Sequence, residues 1–133
     1  MKKIIQTIIF ILVSASANAT ENLLPTDYEG TWLTYGATPV KDEKQKLVIN
    51  KDNSSYFERK FDDVKQQYNA STSDFIRQED LLIIKYYKKP NNLRYKLVLS
   101  GWRSGDTYAL YGFMYMYSNG KQFNGLPVSF RRQ

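Results

Sequence analysis

Neither cysteine nor histidine occurs anywhere in the 133-residue chain. Without cysteine there is no disulfide to staple the fold, no thiol nucleophile and no thiolate metal site, so apolar burial must hold the structure unaided. Without histidine the chain lacks the side chain that most often acts as a general base near neutral pH and most often ligates transition metals. Only carboxylates, Lys, Tyr and Ser/Thr remain for chemistry. The sequence therefore reads as non-enzymatic, with no cofactor and no metal site expected.

Long apolar runs are absent after Val13. The first nineteen residues form a separate unit: Lys2 and Lys3 precede a mostly apolar stretch from Ile4 to Val13, and Ala17-Asn18-Ala19 supplies the small residues a signal peptidase reads. That stretch is shorter than the roughly 20 residues of a membrane span. Residues 1–19 are read as a signal peptide, and no cysteine follows that would mark a lipoprotein. The expectation is a protein exported to the periplasm or beyond by a Gram-negative bacterium, as one domain over 20–133 with no integral membrane segment after cleavage. Without Lys2 and Lys3, 17 basic residues face 13 acidic ones, a net charge of +4 against +6 for the whole chain. The excess is modest and unclustered, so no nucleic-acid partner is expected.

What is present is β-sequence. Runs rich in β-branched and aromatic residues occupy 46–50, 55–62, 81–89, 93–102, 108–117 and 126–133. Between them lie turn clusters such as Lys89-Pro90-Asn91-Asn92 and Ser118-Asn119-Gly120-Lys121, the latter suited to a type I′ hairpin. The polar stretch 64–78 reads as two short edge strands or one strand and a loop. A short helix over 41–46 is conceivable but has no apolar face to bury. Short connections and no helical periodicity predict an all-β fold: an antiparallel up-and-down meander barrel of about eight strands, with a small β-sandwich as the alternative.

Parity assigns faces. Leu93, Tyr95, Leu97 and Leu99 point inward, as do Leu82, Ile84 and Tyr86. Phe57, Arg59 and Phe61 share one face of their strand. The run 108–117 is apolar on both faces, with Leu110, Met114 and Met116 on one and Tyr111, Phe113, Tyr115 and Tyr117 on the other. A hollow barrel would place Tyr86, Tyr95, Leu97, Met114 and Met116 around a small apolar or amphipathic ligand. The alternative is an envelope protein partner, in the manner of an inhibitor or immunity protein, held on an outer surface of Trp102, Tyr111, Tyr115 and Tyr117 extended by Tyr87. The acid pairs Asp62-Asp63 and Glu79-Asp80 do not converge, because adjacent strand residues point to opposite faces; they read as turn residues.

The stretch Asp27-Tyr28-Glu29-Gly30-Thr31-Trp32 resembles the first-strand G-x-W motif of the lipocalins and their calycin relatives. That resemblance implies a barrel whose closed end is plugged by Trp32, with a basic side chain from the last strand across it; parity with Val128 and Phe130 selects Arg132 over Arg131. The absence of a helical pattern after the last strand resembles the shorter calycins, such as avidin-like proteins and small periplasmic protease inhibitors, more than the lipocalins proper. The C-terminal half also resembles small exported proteins of Gram-negative bacteria, a likeness that implies no particular activity.

Overall fold

In the computed structural model the described residues are 21–36, 38 and 40–133; the segment read as a signal peptide lies outside them. Among the described residues eleven strands form: β1 (Glu21–Asn22), β2 (Gly30–Thr34), β3 (Lys44–Ile49), β4 (Ser55–Phe61), β5 (Val64–Ala70), β6 (Phe75–Gln78), β7 (Leu81–Lys89), β8 (Asn92–Ser104), β9 (Thr107–Ser118), β10 (Lys121–Gln122) and β11 (Leu126–Arg132). Nine of them run in the order β5-β4-β3-β2-β11-β9-β8-β7-β6. All neighbours in that path are antiparallel. Apart from the two-residue β1 and β10, neighbours follow one another in sequence except β11 and β2, whose pairing brings the two ends of the barrel chain together. The fold is all-β, a nearly closed meander barrel, as the strand spacing predicts.

The local causes are visible. Five of the connections, 62–63, 79–80, 90–91, 105–106 and 119–120, are two-residue loops between directly paired strand ends. Asn119 and Gly120 both carry positive φ, at 51° and 77°, the combination a type I′ turn requires. The acid pairs form two of these loops, with Asp62 and Glu79 in the left-handed region. No helix covers 41–46. The chain turns there, with Glu43 N–H donating to the Val40 carbonyl at 3.1 Å, and enters β3 at Lys44, because Gln45, Leu47 and Ile49 all bury at period two. The polar stretch 64–78 resolves into β5 and β6, joined by a tight turn at Thr72–Asp74.

These two strands end the hydrogen-bonded path, and between them lies the seam. β5 runs beside β7, yet among the described residues no backbone hydrogen bond joins them. Side chains bridge the gap instead. The Tyr68 ring meets the Tyr95 ring edge-on at 5.0 Å, and the Tyr95 hydroxyl donates to Gln66 Oε1 at 2.7 Å. Among the described residues no helix is long and apolar enough to cross a membrane.

Candidate functional site

The barrel has three regions on which a function could rest: its two ends, its interior and its outer wall. At one end Trp32 is fully buried and its indole N–H donates to the Tyr28 carbonyl at 2.9 Å. Arg132 lies across it, the guanidinium carbon 6.0 Å from the indole and only 3.7 Å from the Tyr108 ring, with Nη1 donating to the Asp27 carbonyl at 2.7 Å. Gly30 has φ 139°, and a Cβ on it would stand 3.1 Å from Cδ of Arg132. The segment before β2 finishes the closure. Leu23 packs where a Gly101 side chain would be, and Glu21 accepts from Arg103 Nε and Nη2 at 3.0 and 2.8 Å.

The other end is closed by a buried ion pair. Arg59 inherits the inward parity of Phe57 and donates through Nε and Nη2 to Glu43 Oε1, with neither side chain more than 6% exposed. Gln45 donates to the second Glu43 oxygen, and Arg59 Nη1 donates to the Tyr95 hydroxyl at 3.1 Å. Burial pulls the Arg59 pKa down, but hydrogen bonds from the guanidinium to Glu43 and Tyr95 outweigh it and hold the group above its ordinary value. Every member has a partner, which is what makes such a buried network tolerable. In the sequence the only hint was an arginine on the inward parity of a strand between two phenylalanines; Glu43, in a turn, carried none.

Between the two ends the inward side chains form one buried cluster. Tyr86, Tyr95, Leu97 and Met114 are fully buried, and Met116 is half-buried. Tyr86 bonds through its hydroxyl to Ser55 Oγ at 2.7 Å and stacks at 5.4 Å on Phe57; Tyr95 serves the ion pair; Met116 Sδ lies 3.8 Å from Arg59 Nη1. These five side chains, singled out for a ligand, meet one another and their neighbours. Two cavities of the described residues lie elsewhere. One, of about 30 Å³, sits against Leu23, Tyr28 and Gly101 at the Trp32 end and has room for little more than a water. The other, of about 540 Å³, is an open groove outside the barrel at the seam, with Asn69, Ser71 and Asp74 on one wall and Tyr87, Lys89 and Asn91 on the other.

The outer wall is divided. On β3, β4 and β5 the outward positions are Lys44, Lys46, Val48, Tyr56, Glu58, Lys60, Lys65, Gln67 and Asn69, mostly polar, and Lys65 pairs with Glu58 at 3.1 Å. On the opposite half the register draws five apolar residues into one line: Ile76 faces Ile83, which faces Val98, which faces Phe113, which faces Pro127. With strands about 4.8 Å apart, this row spans about 19 Å. Phe113 is 47% exposed and Ile76 39%. A second row, one side-chain step away, carries Leu81, Ser100, Tyr111 and Ser129, with Tyr35 beyond.

The four residues proposed from sequence for a partner surface divide accordingly. Tyr111 stands in the second row, half exposed. Tyr115 and Tyr117 are half-buried beneath Lys96, whose ammonium lies 5.2 and 5.8 Å from their rings. Trp102 is half-buried two rows from Phe113, in register with Asn22 of β1 and Ala109 of β9. Tyr87 borders the seam groove instead. Ile76, Ile83, Val98 and Pro127 were missed, since none is notable within its own strand; only cross-strand register makes them one surface.

Comparison with known proteins adds no identity: no protein-family model, no curated protein and no solved structure matches this chain.

Proposed function

We propose that this chain is a non-catalytic, exported binding module that recognises a protein partner through the outer face of β6, β7, β8, β9 and β11. The observation that carries this reading is the outward-facing apolar row Ile76–Ile83–Val98–Phe113–Pro127, exposed at Ile76, Phe113 and Pro127 and half-buried at Ile83 and Val98, on a barrel whose opposite wall is polar. Water-facing sheet surfaces normally alternate to polar residues, and a contiguous exposed apolar patch marks an interaction site. One apolar half with one charged half also does not suit a barrel surrounded by lipid, which needs an apolar band on all sides.

Two further features support a rigid protein-binding scaffold. Both barrel ends are closed by hydrogen-bonded clusters, and the interior positions that a small ligand would need are occupied by side chains. A pre-organised sheet face carrying aromatic anchors loses little conformational freedom on docking. The signal-like segment 1–19 supports an envelope or extracellular partner, and the likeness of the Gly30–Trp32 stretch to calycins supports the barrel scaffold without specifying an activity.

The test is photo-crosslinking in intact envelopes with a benzophenone amino acid placed at Phe113, at Tyr111, and on the polar wall at Gln67. A discrete adduct from Phe113 and Tyr111 but not from Gln67 is expected. Equal labelling from all three positions, or none, would remove this face as the binding site.

A further inference from the structure

The apolar row is bordered by cations that have no carboxylate partner. One side-chain step from it, Lys85 of β7 and Lys96 of β8 face one another directly across the ladder, with Tyr115 next in the same line. Like charges directly opposite on one face of a sheet destabilise it. Among the described residues the ion pairs are Arg59–Glu43, Lys65–Glu58 and Arg103–Glu21, and none involves Lys85 or Lys96. Lysines also face one another on the polar wall, at Lys44, Lys60 and Lys65, but there the neighbouring line holds Glu58, which pairs with Lys65, whereas the line beside Lys85 and Lys96 is the apolar row. Lys96 reaches only the two tyrosine rings and, at 3.5 Å, Gln122 Oε1. On the far flank, in the line of Ala109 and Trp102, Arg131 is held against the Tyr35 ring at 3.6 Å. Six residues along β9 separate these two lines, about 20 Å. Of the acidic residues near this face, Asp74 stands one position beyond the Phe75–Ile84 pair, beside Lys85, where it accepts from Ser71 Oγ at 3.1 Å and forms no ion pair, while Glu79, Asp80 and Asp106 sit in the hairpin loops.

From this arrangement, and resting on the docking reading above, we infer that the partner presents an acidic polypeptide segment whose apolar side chains sit on Ile83, Val98 and Phe113 while its carboxylates meet Lys85 and Lys96. A carboxylate between the two ammonium groups turns a repulsion into two attractions. The surrounding apolar surface excludes water and strengthens the contact. A second copy of this chain does not fit: a two-fold contact through this face would set the unpaired lysines of both copies in one interface, and a patch of about 19 by 20 Å falls below the roughly 800 Å² per partner of a stable complex. The area suits a short segment or a transient contact, for which charge supplies rate and specificity.

Three synthetic peptides of one design test the inference, with leucine at alternate positions and glutamate, glutamine or lysine at the others. Each is titrated into ¹⁵N-labelled protein at low and high salt. The glutamate peptide is expected to shift the amides of Ile83, Lys85, Lys96, Val98 and Phe113, to bind about tenfold more tightly than the glutamine peptide at low salt, and to lose that advantage in Lys85→Gln/Lys96→Gln and at high salt. Equal affinity of the glutamate and glutamine peptides at this face overturns the acidic-partner inference and leaves the docking face standing. If no peptide shifts these amides, or if Phe113→Asp leaves affinity unchanged, the docking face falls and the inference with it.

Discussion

Gly30 and Arg132 are packed so closely that a single methyl group on the former would stand 3.1 Å from Cδ of the latter. The backbone at Gly30, with φ 139°, also suits glycine and little else. Gly30→Ala is therefore expected to cost about 1–3 kcal/mol through backbone strain and displacement of Arg132. Trp32→Ala, which empties the position beneath, should cost about 3–5 kcal/mol. Urea unfolding followed by tryptophan fluorescence and circular dichroism measures both; a Gly30→Ala change below about 0.5 kcal/mol would show that the Arg132 packing is loose.

Gly112 makes a stricter demand. It sits on β9 opposite Leu99 of β8, and a Cβ built there would lie 2.0 Å from the Val98 carbonyl oxygen, which is backbone and cannot rotate away. Gly112→Ala should force the β8–β9 ladder apart, at a cost at or above the roughly 1–3 kcal/mol of ordinary overpacking. Amide exchange at Val98 and Phe113 should accelerate before that of the β3–β4 pair. Uniform acceleration would mean that the barrel opens as one unit.

The Glu43–Arg59 pair predicts a sharp non-additivity. Glu43→Gln leaves a buried guanidinium without its counter-charge and should cost about 3–5 kcal/mol, whereas Glu43→Leu with Arg59→Met should return most of that loss. If the double variant is as unstable as the single, the network does more than satisfy itself, and a ligand or partner role at this end of the barrel becomes the explanation to pursue.

Alkaline pH offers a readout of interior burial. Burial holds the Tyr86 hydroxyl well above its ordinary pKa, with the Ser55 hydrogen bond opposing weakly; Tyr28 and Tyr68 are also raised by burial. The unfolded chain releases these protons first, so stability is complete below the unfolded tyrosine pKa of about 10 and falls as pH climbs above it. Each such group contributes a slope of up to about 1.4 kcal/mol per pH unit. Tyr86→Phe should flatten the fall by one such increment. An unchanged slope above pH 10 would show that Tyr86 ionises as freely folded as unfolded.

The outer face predicts the opposite pattern, binding without stability. Phe113→Asp should leave the unfolding free energy in urea within about 0.5 kcal/mol of the parent, as exposed substitutions do, while eliminating the adduct crosslinked from Tyr111. Loss of stability comparable to a core variant would instead make the row a structural element.

Several strands could be read directly. The run 81–89 has the bounds of β7, and parity alone picks out the inward residues Leu82, Ile84, Tyr86, Tyr95, Leu97 and Leu99, because a side-chain period of two is imposed by the pleat whatever the partner strand. The run 41–49 was harder. A turn and a strand start look like a weak helix when Lys44 and Gln45 are polar, and only burial of Gln45 beneath the ion pair explains its place.

Composition and pattern, then, determined what kind of object this is: a histidine- and cysteine-free, strand-rich chain with one buried face on each strand. Those properties belong to single residues and their neighbours along the chain. Tertiary structure alone decided that the inward side chains pack into one cluster, that Arg59 finds Glu43, and that Ile76, Ile83, Val98, Phe113 and Pro127 stand in one line. Volume, pairing and register each depend on how strands slide past one another, and a slip of one residue would turn the whole row inward.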